Sequence, residues 1–152
     1  MSFQFRFEKI LTMKEKEKES ALNEMNVVKR IKESAENQLL DLIRKKDGYE
    51  KDYQRFLQGS ITITDMKERE QYLLFLNKQI EKAKTKVFDI TREFNLKKTQ
   101  LLTKNQEEKM WSTWREKSFE EYTEKVNREE QNLLDEMAVV RYFHQNTSSG
   151  LY

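Results

Sequence analysis

The chain holds one histidine, His144, and no cysteine. Transition-metal centres draw mainly on imidazole and thiolate ligands. A site here would need carboxylates alone around His144, and none are arranged for that. Serine and histidine never come together in the order of a nucleophile and its base. No glycine-rich stretch is present to cradle a phosphate, so the chain is not expected to hydrolyse nucleotide. The nearest approach to a nucleic-acid surface is Lys97, Lys98, Lys104, Lys109 and Arg115 with Trp111 and Trp114. Basic stretches carrying aromatics can follow a phosphate backbone and stack bases, but Glu107, Glu108 and Glu116 dilute this one. These residue types point away from catalysis. The reading is no enzyme, no cofactor, no metal and no nucleic-acid partner.

The composition explains what such a chain can build instead. Of 152 residues, 37% are charged and only 36% hydrophobic, with three glycines and no proline. That balance does not fill a globular core; it suits helices that bury one narrow stripe and wet the rest. Disorder is the competing outcome for so charged a chain, and the regular spacing of the apolar residues argues against it. Lysine and arginine number 29, aspartate and glutamate 27, and the net charge of +2 is spread with both signs interleaved. Such a surface has no particular attraction for a polyanion. The absence of cysteine suits a reducing cytoplasm. No run approaches the roughly 20 apolar residues of a membrane span, and the N-terminus lacks the apolar core of a secretory signal.

The elements follow from one break, Gln58-Gly59-Ser60-Ile61-Thr62-Ile63-Thr64-Asp65. Gly59 can end a helix in the left-handed region at no steric cost. Ile61 and Ile63 are β-branched and suit an extended turn. Thr62, Thr64 and Asp65 are all N-cap candidates; Thr62 with Asp65, and Asp65 with Glu68, stand in capping-box register. Before the break, steps of three and four residues give a heptad seam: Leu11, Lys14, Lys18, Ala21, Met25, Val28, Lys32, Ala35, Leu39, Leu42, Lys46, Tyr49, Tyr53 and Phe56. The seam lysines can lay their stems along a partner and hold the ammonium in water. Gly48, inside this helix, marks a bend or a close approach. The charge run Lys14 to Glu19 reads as a solvated face with pairs at i and i+3.

After the break the seam runs Leu73, Leu76, Ile80, Ala83, Val87, Ile90, Phe94, Lys97, Leu101, Lys104, Glu108, Trp111. It then slips, and Phe119, Tyr122, Val126, Leu133, Met137 and Val140 continue in a shifted phase, as a stutter does. The expected architecture is all-α: an antiparallel two-helix coiled-coil hairpin whose second helix is the longer. One domain, 1–152, is expected, with a helix over about 4–58, a tip at 59–64, a helix over about 65–144 and a frayed tail, 145–152. At 1.5 Å per residue the helices would span roughly 80 and 120 Å. Folding at Ile61 sets the N-terminal phenylalanines opposite Trp111 to Phe119. Residues beyond about Tyr122 then lack an intramolecular partner, although Val126, Leu133, Leu134, Met137 and Val140 are apolar. A stripe of that kind predicts a binding partner or self-association.

Phe5-Arg6-Phe7-Glu8-Lys9-Ile10-Leu11, followed by Lys14-Glu15-Lys16-Glu17-Lys18-Glu19, resembles the opening of the FliJ family, a small coiled-coil component of the flagellar type III export apparatus. Ala35-Glu36-Asn37-Gln38-Leu39 with Leu42, Ile43 and Tyr49, then Tyr72-Leu73 with Leu76 and Ile80, and Asp135-Glu136-Met137-Ala138 with Arg141, extend the resemblance over nearly the whole chain. It implies a two-helix coiled coil similar to the central stalk of rotary ATP synthases. Three partners are implied: the flagellar export ATPase, the cytoplasmic domain of the export-gate membrane protein, and export chaperones. It also implies a chain monomeric on its own, cytoplasmic, and peripheral to the inner face of the cell membrane. Carried onto this sequence, the gate contact is Gln38, Leu42, Tyr49, Tyr72, Leu76, Gln79 and Ala83. The ATPase contact is Leu11, Lys18, Leu22, Val126, Leu133, Met137 and Val140. Leu42, Tyr49, Leu76 and Ala83 are also seam seats, so core and contact compete there; Gln38, Tyr72 and Gln79 fall off the seam. The alternative is a cytosolic coiled-coil scaffold that dimerises through the C-terminal stripe, unrelated to export.

Overall fold

With no proline to interrupt it and an apolar seat at nearly every heptad step, the chain forms two long helices. The computed structural model describes residues 2–150. Helix α1 is Glu8–Leu57 and helix α2 is Ile63–Ser149, and no strand occurs among the described residues. The helices pack against one another in antiparallel sense: stepping down α1 by one heptad from Glu24 to Glu17 steps up α2 by one heptad, from Lys97 to Lys104. The chain divides into two compact units, one made of Met1–Lys16 and Gln106–Tyr152, the other of Glu17–Asn105.

In the second of these units the seam is the core. Every seat from Lys18 to Phe56 and from Leu73 to Lys104 is buried or half-buried. Leu76 is 1% exposed, Ala35 2% and Ile80 5%. Val28, Ala35 and Ile90 form one cluster, with Val87 and Phe94 packed on it. Burying a side chain of Leu or Ile size stabilises by about 1.5–3 kcal/mol, so a few such residues per helix outweigh the surface pairs. The seam lysines lie along the partner helix as their stems allow: the Lys32 ammonium sits 4.8 Å from the centre of the Phe94 ring. Lys97 donates to Glu24 at 3.1 Å and Lys104 to Glu17 at 3.2 Å, so Glu17, within the charge run, reaches across to α2.

The tip differs from expectation at one cap and selects among the others. No glycine has a positive φ, so Gly59 does not use the left-handed cap. Instead α1 tightens into a last turn of i−3 bonds, Gln58 N–H to the Arg55 carbonyl at 3.3 Å and Gly59 N–H to that of Phe56 at 3.1 Å. Among the three cap candidates Thr62 takes the role: its hydroxyl accepts the Asp65 N–H at 3.2 Å, and its carbonyl accepts the Met66 N–H at 3.2 Å. Gly48 lies within unbroken helix with nothing within 4 Å of where a Cβ would stand, so it marks no close approach.

In the other unit the N-terminus departs from the expected helix start near residue 4. Residues 2–5 are not helical, Arg6 and Phe7 form a turn, and α1 begins at Glu8. Reach explains it. Phe3 packs edge-on against Phe119, ring centres 5.2 Å apart, and against Tyr122 at 5.5 Å, while Phe7 meets Trp111 at 5.7 Å and Trp114 at 5.0 Å. From Trp111 to Phe119 a helix rises about 12 Å. An extended chain covers about 13 Å between Phe3 and Phe7, a helix only about 6 Å. A helix over these residues falls short of that rise, and the non-helical stretch before the turn at Arg6 and Phe7 supplies the extra reach. At its far end α2 runs to Ser149, past the expected stop near His144. The polar tail is helical too, and its hydroxyls bond back to its own carbonyls, Ser148 to Gln145 at 3.1 Å and Ser149 to Asn146 at 3.2 Å.

Candidate interaction surfaces

Near the tip, α1 and α2 bring aromatic rings together on the flank of the seam. Tyr49 and Tyr72 lie with ring centres 4.6 Å apart, and Phe75 stacks on Tyr72 at 6.3 Å. Arg69 lays its guanidinium 3.7 Å from the centre of the Phe56 ring and 5.8 Å from that of Tyr49. This cation caps the cluster and fixes its rings from the tip side. Of the residues that the family resemblance assigns to the gate, Gln38 is exposed, and Leu42, Tyr49, Tyr72, Gln79 and Ala83 are half-buried. Leu76, which is both a seam seat and a residue assigned to the gate, is 1% exposed and packed in the core between the helices. Phe75, which the resemblance does not assign, is 54% exposed beside Tyr72. It follows Tyr72 by three residues, so the two share a side of α2, and that spacing was the signal.

The unit that contains the chain's ends has a closed part and an open part. In the closed part the aromatic contacts are joined by two ion pairs, Arg115 to Glu8 at 2.9 Å and Lys14 to Glu107 at 3.1 Å. Leu11, assigned by resemblance to the ATPase contact, is 4% exposed and belongs to the packing here. Trp111, Ser118, Tyr122 and Val126 are half-buried, whereas Phe119, T-shaped against Phe3, is 51% exposed. The open part begins after Val126, where every described residue is exposed. Leu133, Met137 and Val140 stand at i, i+4 and i+7 on one face of α2, each more than half exposed, with Leu134 beside them.

Lys18 and Leu22 line a different surface. They belong to the unit Glu17–Asn105 and border a groove between α1 and α2 together with Met25, Lys98, Leu101 and Leu102. The basic and aromatic set is also divided: Lys97, Lys104 and Arg115 are each engaged with a glutamate of α1. His144 is exposed, and among the described residues no group of histidine, aspartate and glutamate is placed to hold a metal ion. No helix among the described residues is long and apolar enough to cross a membrane.

The family described as Flagellar FliJ protein matches residues 3–147. The chain belongs to the FliJ family. It is similar to the flagellar FliJ protein of Bacillus subtilis (strain 168), 26% identical over 145 residues that cover 95% of this chain and 99% of that protein. No solved structure matches it. The span shared with the FliJ family takes in the aromatic N-terminus, the tip cluster and the exposed stripe of α2 alike.

Proposed function

We propose that this chain is a non-catalytic adaptor of flagellar type III export, carrying two separate docking surfaces. The stripe Leu133, Met137 and Val140 binds the export ATPase. The tip flank of Gln38, Tyr72 and Gln79, widened by Phe75, binds the cytoplasmic domain of the export gate. FliJ-family membership supports the flagellar setting. The observation that carries the reading is the contrast along α2, whose apolar face is buried against α1 at Leu76 and Ile80 and open to water at Met137 and Val140. A helix that exposes such a face gains by covering it with another protein, at about 25 cal/mol per Å² of apolar surface removed from water. Tyr72, Phe75 and Gln79 belong to the same helix, Ile63–Ser149, as Leu133, Met137 and Val140, and Gln38 belongs to α1.

The test is a pull-down of each purified partner with two variants of the full chain, Met137→Glu/Val140→Glu and Tyr72→Asp/Gln79→Glu, with helicity checked by circular dichroism. The first variant loses the ATPase and keeps the gate; the second does the reverse. If either variant retained both partners, or both variants lost the same one, the two-surface reading would fail. Light scattering separates the scaffold alternative: the adaptor is a monomer alone, whereas a dimer dissolved by Met137→Glu makes the stripe a self-association surface.

A further inference from the structure

We propose that Phe3 is a built-in competitor for the exposed face of α2, the tip of a short strap that the docking ATPase displaces. Its role rests on the reading of Leu133, Met137 and Val140 as the ATPase surface, and it extends that surface. From Leu133 to Val140 α2 rises only about 10 Å. Three side chains over that length do not supply the roughly 800 Å² a side of a specific interface. The same face continues toward the start of α2. Phe119, Tyr122 and Val126 follow one another by three and four residues, and Leu133 stands one heptad after Val126, across a polar seat at Glu129. Counted from Phe119 to Val140 the row is about 32 Å long, which a partner helix of about six turns covers.

In the free chain the first two seats of that row are taken by the chain itself. Phe3 stands T-shaped to Phe119 with ring centres 5.2 Å apart, and tilted to Tyr122 at 5.5 Å. Its hold is light. Residues 2–5 lie outside any helix, and among the described residues no hydrogen bond joins residues 2–7 to α2. The ion pair of Glu8 with Arg115 belongs to the first residue of α1, beyond the strap. An open cleft of about 520 Å³ is bordered by Phe3, Gln4, Arg6 and Arg115, so the strap is not packed down on α2 along its length. Phe5, 8% exposed, stays in the packing and serves as the pivot. Phe119 remains 51% exposed beneath Phe3, so the seat is shielded without being sealed. One apolar side chain on a short non-helical end opens at small cost, and a partner helix that brings a whole apolar row replaces it with a larger burial. The apparent affinity for the ATPase is then reduced in proportion to the fraction of chains whose strap is open.

The experiment uses the full chain carrying 4-fluorophenylalanine at position 3, titrated with the purified export ATPase and followed by fluorine NMR. Binding isotherms of Phe3→Ser and Phe119→Ser accompany it, with helicity checked by circular dichroism. At saturation the fluorine resonance moves to the position it has in the urea-unfolded chain. Phe3→Ser, which frees the row, tightens ATPase binding about fivefold to tenfold. Phe119→Ser, which removes a seat, weakens it about fivefold. A residue that only braced the fold would leave binding unchanged or weaker in Phe3→Ser. A resonance that stays in place at saturation overturns the proposal, as does a Phe3→Ser chain that binds no more tightly than the unaltered one. If Met137→Glu/Val140→Glu keeps the ATPase, the stripe reading itself fails and takes the strap with it. If that variant loses the ATPase while the fluorine signal stays put, the strap alone fails.

Discussion

Helix α2 contains two stretches written in the same residue types with opposite fates. Between Leu73 and Trp111 its apolar seats are covered by α1, and Leu76, Ile80 and Ile90 fall below a tenth of full exposure. Between residues 127 and 149 Leu133, Met137 and Val140 recur at the same helical spacing and stay more than half exposed. Both stretches are helical. The difference shows that helix and burial need not coincide in this chain: α2 is helical in both stretches, and its apolar seats are buried only where α1 lies against them. A stretch with the pattern and without the partner is where a function can be placed at no cost to the packed part.

The largest effect sharpens that contrast directly. Leu76→Ala removes the most buried leucine of the core and is expected to destabilise by about 2–4 kcal/mol. Met137→Ala, with no packing to lose, is expected to change stability by less than about 0.5 kcal/mol. Chemical denaturation of both variants, followed by circular dichroism, checks the pair. Similar losses for the two would mean that the C-terminal stripe is covered in the free protein, and the contrast would collapse.

Much of this contrast could be read in advance, for a physical reason. Heptad seats are a local property, so the run from Leu11 to Phe56 and the run from Leu73 to Trp111 were found by spacing, lysines included. The hinge was marked by Gly59 and the β-branched pair, and Thr62 was among its caps. What escaped depends on geometry that no single segment contains. Glu17 looked solvated, and its pairing with Lys104 is set by register between helices. The helix expected from about residue 4 begins at Glu8 instead, which the rise of α2 between Trp111 and Phe119 accounts for. Leu76 and Leu11 matched a family pattern of contacts, which spacing alone could not separate from core. Phe75 lay off the seam and was passed over for that reason.

The aromatic N-terminus offers a way to move the border between the two stretches. Phe7 meets both Trp111 and Trp114, and such ring pairs contribute about 0.5–1.5 kcal/mol each beyond the area they bury. Phe7→Ala should therefore lower amide protection around Trp111 by roughly tenfold, toward the level of residues 127–149, while leaving Leu76 and Ile80 protected. Hydrogen exchange with residue resolution reads this. Unchanged protection at Trp111 would show that α2 holds its own there.

Gly48 tests helix formation without burial, inside the packed stretch. A Cβ at this position meets nothing within 4 Å. Gly48→Ala is therefore expected to stabilise by about 0.5–1 kcal/mol through backbone entropy alone. A loss of stability in a thermal melt would instead reveal that α1 needs to deform at this point.

The smallest expected effect concerns the ion pairs that accompany the packing. Lys97 and Glu24 meet at 3.1 Å across the helices, with the glutamate side chain 55% exposed. Solvent screens a pair of this kind, and a double-mutant cycle should give about 0.2–1 kcal/mol, falling as salt is raised. The pair Lys84 and Glu81, within α2 at 3.4 Å, should give a few tenths at most. If the cross-helix coupling instead matched the loss from Leu76→Ala, charge would be holding the hairpin together. The open stripe could then not be read as packing surface awaiting a partner, because apolar burial would no longer be what separates the two stretches.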